Sequence, residues 1–138
     1  MIAVLLDTNV VLDVLAARQP FVNESEKIFA LAAANQIAGH ITANSAADLY
    51  YLMTKYMTPA AAKEALRRLF SLLSILDVRA TDCLAALDRP GDFEDALLLA
   101  CAHRRGYVDY IVTRDQNLQG AMSSIPIVSP AGLLKILK

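Results

Sequence analysis

Apolar and polar residues fall in blocks along this chain, and the period of the blocks changes from one to the next. Ile2-Ala3-Val4-Leu5-Leu6 is a continuous apolar run, the pattern of a short strand buried on both faces. Beyond Asp7-Thr8-Asn9, which offers cap chemistry, Val10, Val11, Val14 and Leu15 recur at helical spacing. Pro20 interrupts. Ile28, Phe29, Leu31 and Ala32 then mark the inner face of a second helix, with Asn23 or Ser25 as its expected cap. Ile37 to Ile41 reads as a second strand, followed by a helix capped by Thr42 or Asn44 and carrying Ala47, Leu49, Tyr50, Tyr51, Leu52 and Met53. Thr58-Pro59 joins a capping residue to a proline at the first helical position, and this helix runs to about Leu73. Ser74 to Val78 is a third strand, and Thr81 is the expected cap of a short helix through Leu87. Arg89-Pro90-Gly91 is a breaker. Asp92 starts a strongly helical segment, Phe93 to Arg105, which Gly106 ends in the left-handed position. Tyr110 to Thr113 and Ile125 to Val128 complete the strands, and Ser129-Pro130 opens a last helix ending at Lys138.

Strands alternating with helices predict an α/β fold, a three-layer α/β/α sandwich around a mainly parallel sheet. A chain of 138 residues without repeat or linker is expected to be a single domain over 1–138. The architecture matters for chemistry, because such sheets hold ligands at the carboxyl ends of their strands. Asp7 ends the first strand and Asp115 follows the fourth.

Composition narrows the classes. With 56% hydrophobic residues the chain is not disordered. Its longest apolar runs, such as Ala96 to Ala102, are too short to span a bilayer. The first apolar run lacks a basic leader and is ended by Asp7, so no signal peptide is expected and the cytoplasm is the expected location. Cys83 and Cys101 show neither a disulfide framework nor a zinc spacing. His40, in a strand, and His103, near a helix end, read as structural. A net charge of −1 does not announce a nucleic-acid binder. A phosphate-binding surface would have to be local, and the candidates are Lys55, Lys63, Arg67 and Arg68, or Arg104, Arg105 and Arg114. Each group reads equally as a solvated helix face or as a helix C-terminus complementing its dipole.

Four acids stand at element boundaries or on helix faces: Asp7, Asp48, Asp95 and Asp115. Parallel-sheet geometry can gather them at one rim. Clustered carboxylates repel one another, and a hard divalent cation is the usual compensation. Mg²⁺ or Mn²⁺ suits this donor set better than Zn²⁺, because no His or Cys stands at a ligand spacing. Each acid also has an ordinary role. Asp92 and Asp95 fit a capping box, Asp115 can cap the following turn, and Asp48 can be a solvent-facing helical acid. Asp7, after five apolar residues and before an apolar helix, is the hardest to read as a mere cap.

The stretches that carry these acids resemble a known family. Leu5-Leu6-Asp7-Thr8-Asn9-Val10-Val11-Leu12-Asp13 resembles the first motif of PIN-domain nucleases, and Thr42-Ala43-Asn44-Ser45-Ala46-Ala47-Asp48-Leu49 the second. Asp92-Phe93-Glu94-Asp95-Ala96-Leu97 is similar to the third, and Tyr110-Ile111-Val112-Thr113-Arg114-Asp115 to the fourth. Order and spacing agree over essentially the whole chain, most closely with compact prokaryotic PIN domains of the VapC toxin type. The resemblance implies a parallel-sheet α/β/α fold and Mg²⁺- or Mn²⁺-dependent endonucleolytic cleavage of RNA leaving a 5′-phosphate. It also implies a toxin–antitoxin setting, with a homodimeric toxin held inactive by a small partner protein. It assigns Asp7, Asp95 and Asp115 to the acidic positions, Thr113 to a hydroxyl beside the metal, and Asn9 to support of the first acid. Asp48 stands where the family usually has glutamate, so Asn44 is a candidate to share its role, and Asp92 is a further acid on the face of Asp95. Glu94 is expected to point elsewhere. Arg114, Lys63 and Arg67 are candidates to hold the RNA backbone, and Tyr50, Tyr51 and Tyr56 either stack on bases or pack. The shortened acid and the weak positive charge leave open a non-catalytic PIN-like module that binds RNA or protein. A phosphorelay receiver or an aspartate-nucleophile phosphatase fits poorly, since Thr8 and Asn9 stand where those families want further acids.

Overall fold

The computed structural model describes residues 1–138. Five strands form one sheet: β1 (Ile2–Leu6), β2 (Ile37–Thr42), β3 (Ser74–Leu76), β4 (Tyr110–Val112) and β5 (Ile127–Val128). Their order is β3-β2-β1-β4-β5, and every neighbouring pair is parallel. The all-apolar first strand is central because only a strand with neighbours on both edges and helices on both faces can bury such a run. Ala3 to Leu6 are all buried. The expected three-layer sandwich is the fold observed.

Side-chain alternation along β1 divides the core. Val4 and Leu6 face a cluster with Val10, Ile28, Leu49, Leu66 and Leu133. These come from α1 (Thr8–Leu15), α2 (Val22–Ala33), α3 (Ala43–Met53), α4 (Pro59–Leu72) and α8 (Pro130–Ile136). Leu5 faces the opposite way, onto Leu98, Leu99, Ile111 and Leu118, beneath α6 (Phe93–Arg105) and α7 (Gln116–Gln119). A third cluster, Ala86 with Ala96, Leu97 and Cys101, joins α5 (Ala80–Leu87) to α6. Gly39 in β2 permits the tight fit of Leu73, whose Cδ2 would stand 2.5 Å from an added Cβ.

Most expected boundaries match. Thr58 accepts the Ala61 N–H at 3.2 Å and Ser129 the Gly132 N–H at 3.0 Å, both ahead of proline at the start of the helix. Gly106 closes α6 at φ 77°, where glycine carries no Cβ penalty. Two caps differ. Helix α2 starts at Val22, without a side-chain cap, because Val22, Ser25, Ile28 and Ala32 form one buried face. Ser25 is therefore inside the helix and Asn23 in its first turn. Helix α5 starts after Arg79, whose N–H is taken by Asp82 Oδ2 at 2.8 Å, so Thr81 is not its cap. Strands β3 and β5 are shorter than their apolar runs.

The connections place the site. From β1 the sheet grows through β2 to β3 on one side, and then the chain crosses back to put β4 on the other side of β1. The carboxyl ends of β1 and β4 thus flank the point where the winding reverses, where open α/β sheets form a crevice.

Candidate active site

Asp7 leaves β1 at that crevice. Its N–H is bonded to the Val112 carbonyl at 2.9 Å, which ties it to the end of β4. One carboxylate oxygen caps α1 by accepting the Thr8 N–H at 2.8 Å. The other accepts the Thr113 hydroxyl at 2.8 Å and Asn9 Nδ2 at 3.2 Å. Thr113 is fully buried, and its Oγ1 accepts the Asp115 N–H at 3.0 Å, so the hydroxyl proton is directed at Asp7. One threonine therefore fixes both the rotamer of Asp7 and the turn carrying Asp115. Asp115 Oδ1 in turn caps α7 through the Asn117 N–H at 2.9 Å.

Helix α6 brings its first turn to the same place. Asp92 caps it, accepting the Asp95 N–H at 3.1 Å. The return bond of a capping box is not made, so the Asp95 carboxylate is left without a hydrogen bond. Asp7, Asp92, Glu94, Asp95 and Asp115 line one cleft of about 400 Å³, together with Thr8, Asn9, Arg18 and Arg114. A neighbouring cavity of about 900 Å³ shares Asp92, Asp95 and Asp115 and continues over Leu99, Leu118 and Met122.

The electrostatics follow from burial first and from the crowding of acids second. Burial pushes the Asp7 carboxyl above the usual carboxylate range, against the Thr113 and Thr8 hydrogen bonds, and the Asp115 charge adds to the rise. Asp95 is pushed up to about 6, by burial first and then by Asp7, Asp92, Asp115 and Glu94. Glu94 is raised by burial and by Asp48, Asp7 and Asp92. These are carboxylates without enough counter-charge.

The donor set fits a hard cation. It is all oxygen, with no His or Cys in the cleft. Asn9 spends its amide nitrogen on Asp7, leaving its buried Oδ1 without a partner. No three of the acids stand close enough to cage an ion.

The PIN domain family model matches residues 3–117. The chain belongs to the PIN domain family. No curated protein matches the sequence. Among solved structures, the DNA-bound VapBC of Salmonella typhimurium is similar at 18% identity and a TM-score of 0.70, covering 94% of this chain and 99% of that one. VapC20 of Mycobacterium tuberculosis, a sarcin-ricin loop cleaving toxin, is similar at 17% identity and a TM-score of 0.65, covering 89% and 99%. A toxin–antitoxin complex from Klebsiella pneumoniae matches at 19% identity and a TM-score of 0.64, over 92% and 97%. At these identities the likeness is one of fold.

Within this PIN domain, Asp7, Asp95, Asp115, Asp92, Asn9, Thr113 and Arg114 come together, and other candidates do not. Asp48 is exposed on α3, beside Thr8, Tyr51, Leu52 and Glu94 at the edge of the cleft. Asn44 has a buried, unpartnered Oδ1 but does not line the cleft. Lys63 and Arg67 lie exposed on α4, where Glu64 holds Arg67 at 3.3 Å and Arg68 at 3.8 Å. Arg104 and Arg105 close the far end of α6 on Asp77 and Asp82. Tyr51 and Tyr56 are exposed. His40 is buried, its Nδ1 3.3 Å from the Val4 carbonyl, and His103 Nδ1 accepts Arg89 Nη2 at 2.7 Å. Both cysteines are free thiols.

Glu94 was expected to point away, and it does not. The cleft wraps the whole first turn of α6, so a residue about 100° from Asp95 around the helix still faces it. Asp13 and Arg18 were not singled out at all. The signal for Asp13 was a charged residue three positions from Val10 on an otherwise apolar helix.

Proposed function

We propose that this PIN domain is a Mg²⁺- or Mn²⁺-dependent endoribonuclease, the toxin of a type II toxin–antitoxin pair. The observation that carries the reading is the convergence of Asp7, Asp95 and Asp115 on one crevice, where burial first and neighbouring acids second raise Asp7 and Asp95. A cation held there would supply activation of water near neutral pH and charge stabilisation at the phosphoryl group. Asp7, Asp95 and Asp115 would hold it, with Asp48 and Asp92 at the margin. Thr113 and Asn9 orient Asp7 and keep it from turning toward solvent. Protons compete with the cation for Asp95, so loading strengthens as pH rises through about 6.

Cleavage of RNA is supported by the likeness to VapC20, and a small antitoxin by the likeness to VapBC and toxin–antitoxin complexes. Exposed apolar side chains, Tyr51, Tyr56, Leu84 and Leu87, offer area for that partner and for a homodimer. No helix is long and apolar enough to cross a membrane, in keeping with a cytoplasmic target. The test is cleavage of cellular RNA by the purified chain and by its Asp7→Asn variant with Mg²⁺ or Mn²⁺. The variant should lose more than the roughly 10–100-fold typical of groups that merely orient a metal ligand. Equal degradation by both overturns the nuclease reading and leaves the non-catalytic binding module in its place.

A further inference from the structure

Beside the acids lies a charge arrangement of the opposite sense. Asp13 is fully buried on α1, and two arginines, five and 101 residues away, share it. Arg18 donates from Nε to Asp13 Oδ1 at 2.8 Å, with Nη2 2.8 Å from the same oxygen. Arg114 donates from Nε to Oδ2 at 2.7 Å and from Nη2 to Oδ1 at 3.2 Å. The Arg114 guanidinium also lies 3.9 Å over the ring of Phe21, and Arg18 Nη2 reaches the Asn9 carbonyl at 3.5 Å. Two guanidiniums on one carboxylate leave a net positive charge, and both line the cleft that holds Asp7, Asp95 and Asp115. Their side chains are 29% and 31% exposed, and the Nη1 of each makes no hydrogen bond within the protein.

A cleft walled with carboxylates repels a polyanion everywhere except at its cation. A second phosphate of the same strand needs fixed positive charge close by. Arginines held by a buried carboxylate and an aromatic face have already lost their side-chain freedom, so little is lost when an anion docks. Resting on the ribonuclease reading, we propose that Asp13 is a positioning residue that holds Arg18 and Arg114 as a clamp for a backbone phosphate next to the one cleaved.

The test is the binding of a short labelled single-stranded RNA of mixed sequence, by anisotropy at several salt concentrations, on an Asp7→Asn background. Arg18→Gln and Arg114→Gln should each weaken binding about tenfold and lower the slope of log affinity against log salt by about 0.7. Asp13→Asn keeps both positive charges, so it should lose affinity while holding most of the slope. Should Asp13→Asn fail to fold, Arg18→Lys and Arg114→Lys make the same separation, since they keep the charge and lose the fork. With Asp7 intact, the larger part of the loss should fall on KM. Glutamine variants with a lower melting temperature but an unchanged salt slope and KM would make the arginines structural and remove the clamp alone. If the parent chain neither binds nor cuts RNA, the ribonuclease reading falls and the clamp with it.

Discussion

Helix α6 carries acids at one end and bases at the other, and the molecule treats charge in opposite ways at the two. At the carboxyl end every carboxylate is answered. Asp82, 2% exposed, accepts Arg104 Nε at 2.8 and 3.0 Å and the Arg79 N–H at 2.8 Å. Asp77 takes Arg79 Nε at 2.8 Å. These hydrogen bonds hold the Asp82 and Asp77 carboxyls below the usual range. At the amino end Glu94 and Asp95 have no basic partner and are raised. The helix dipole favours acids there, but only by about 0.3–1 kcal/mol near the surface. One end is finished as folded. The other leaves its carboxylates without a counter-charge, where the proposed cation would supply one.

The largest expected effect breaks the finished end. Asp82→Ala removes the partner of Arg104, the cap of Arg79 and the acceptor of Cys101 Sγ at 3.5 Å. Loss of the buried acceptor of these charged hydrogen bonds should cost about 2 kcal/mol, read by chemical denaturation, with no change in metal binding. Undiminished stability would mean that Arg104 finds an equal partner. Next comes the open end. Mn²⁺ at ten times its dissociation constant should stabilise the chain by about 1.4 kcal/mol, seen as a higher melting temperature that Asp7→Asn abolishes. An equal rise in both proteins would place the ion elsewhere. Smaller again, Asp95→Asn should stabilise the metal-free protein by about 1 kcal/mol, after allowing for solvent screening of a half-exposed group, while removing the Mn²⁺ effect. That sign is opposite to Asp82→Ala, for the same residue type, Asp82 lying on α5 against the far end of α6.

How much of this could be read from the chain depends on whether a signal is local. Strand β1, the proline-led helices and the Gly106 stop are legible because the apolar period and the cap chemistry lie within a few residues of one another. Asp7 and Asp115 were legible because each directly follows such a strand. Asp13 was not, because its two partners lie five and 101 residues away and only the fold brings them together. Ser25 looked like a cap because a hydroxyl before an apolar run usually is one. Here the burial of Val22 pulled the helix start earlier. Thr81 lost to Arg79 because the carboxylate of Asp82 reaches back to cap from inside the helix. Asp48 remained at the margin of the cleft because a shortened acid on an exposed helix face leaves no sequence mark of where it ends.

The finest expected effect is the pH dependence of the metal-free protein, and it has two signs. Asp95 has a folded pKa of about 6, above the unfolded value of about 3.9. Between those values the folded state binds more protons than the unfolded one, so stability falls as pH rises from about 4 to about 6. Asp7 and Glu94, also raised, act in the same direction. Asp82, whose folded pKa is lowered, contributes stability that is present above about 4 and is lost as pH falls below it. The metal-free chain should therefore be most stable near pH 4–5, with less than about 1 kcal/mol lost toward pH 6.5, measured by denaturation in chelator. Asp95→Asn should make the upper limb shallower, leaving the part due to Asp7 and Glu94, and leave the acid limb intact, whereas Asp82→Ala should do the reverse, leaving the part due to Asp77. A limb that keeps its slope in the variant meant to remove it would show that the two ends of α6 are not separate electrostatic units. The contrast between satisfied and waiting carboxylates would then have to be drawn elsewhere.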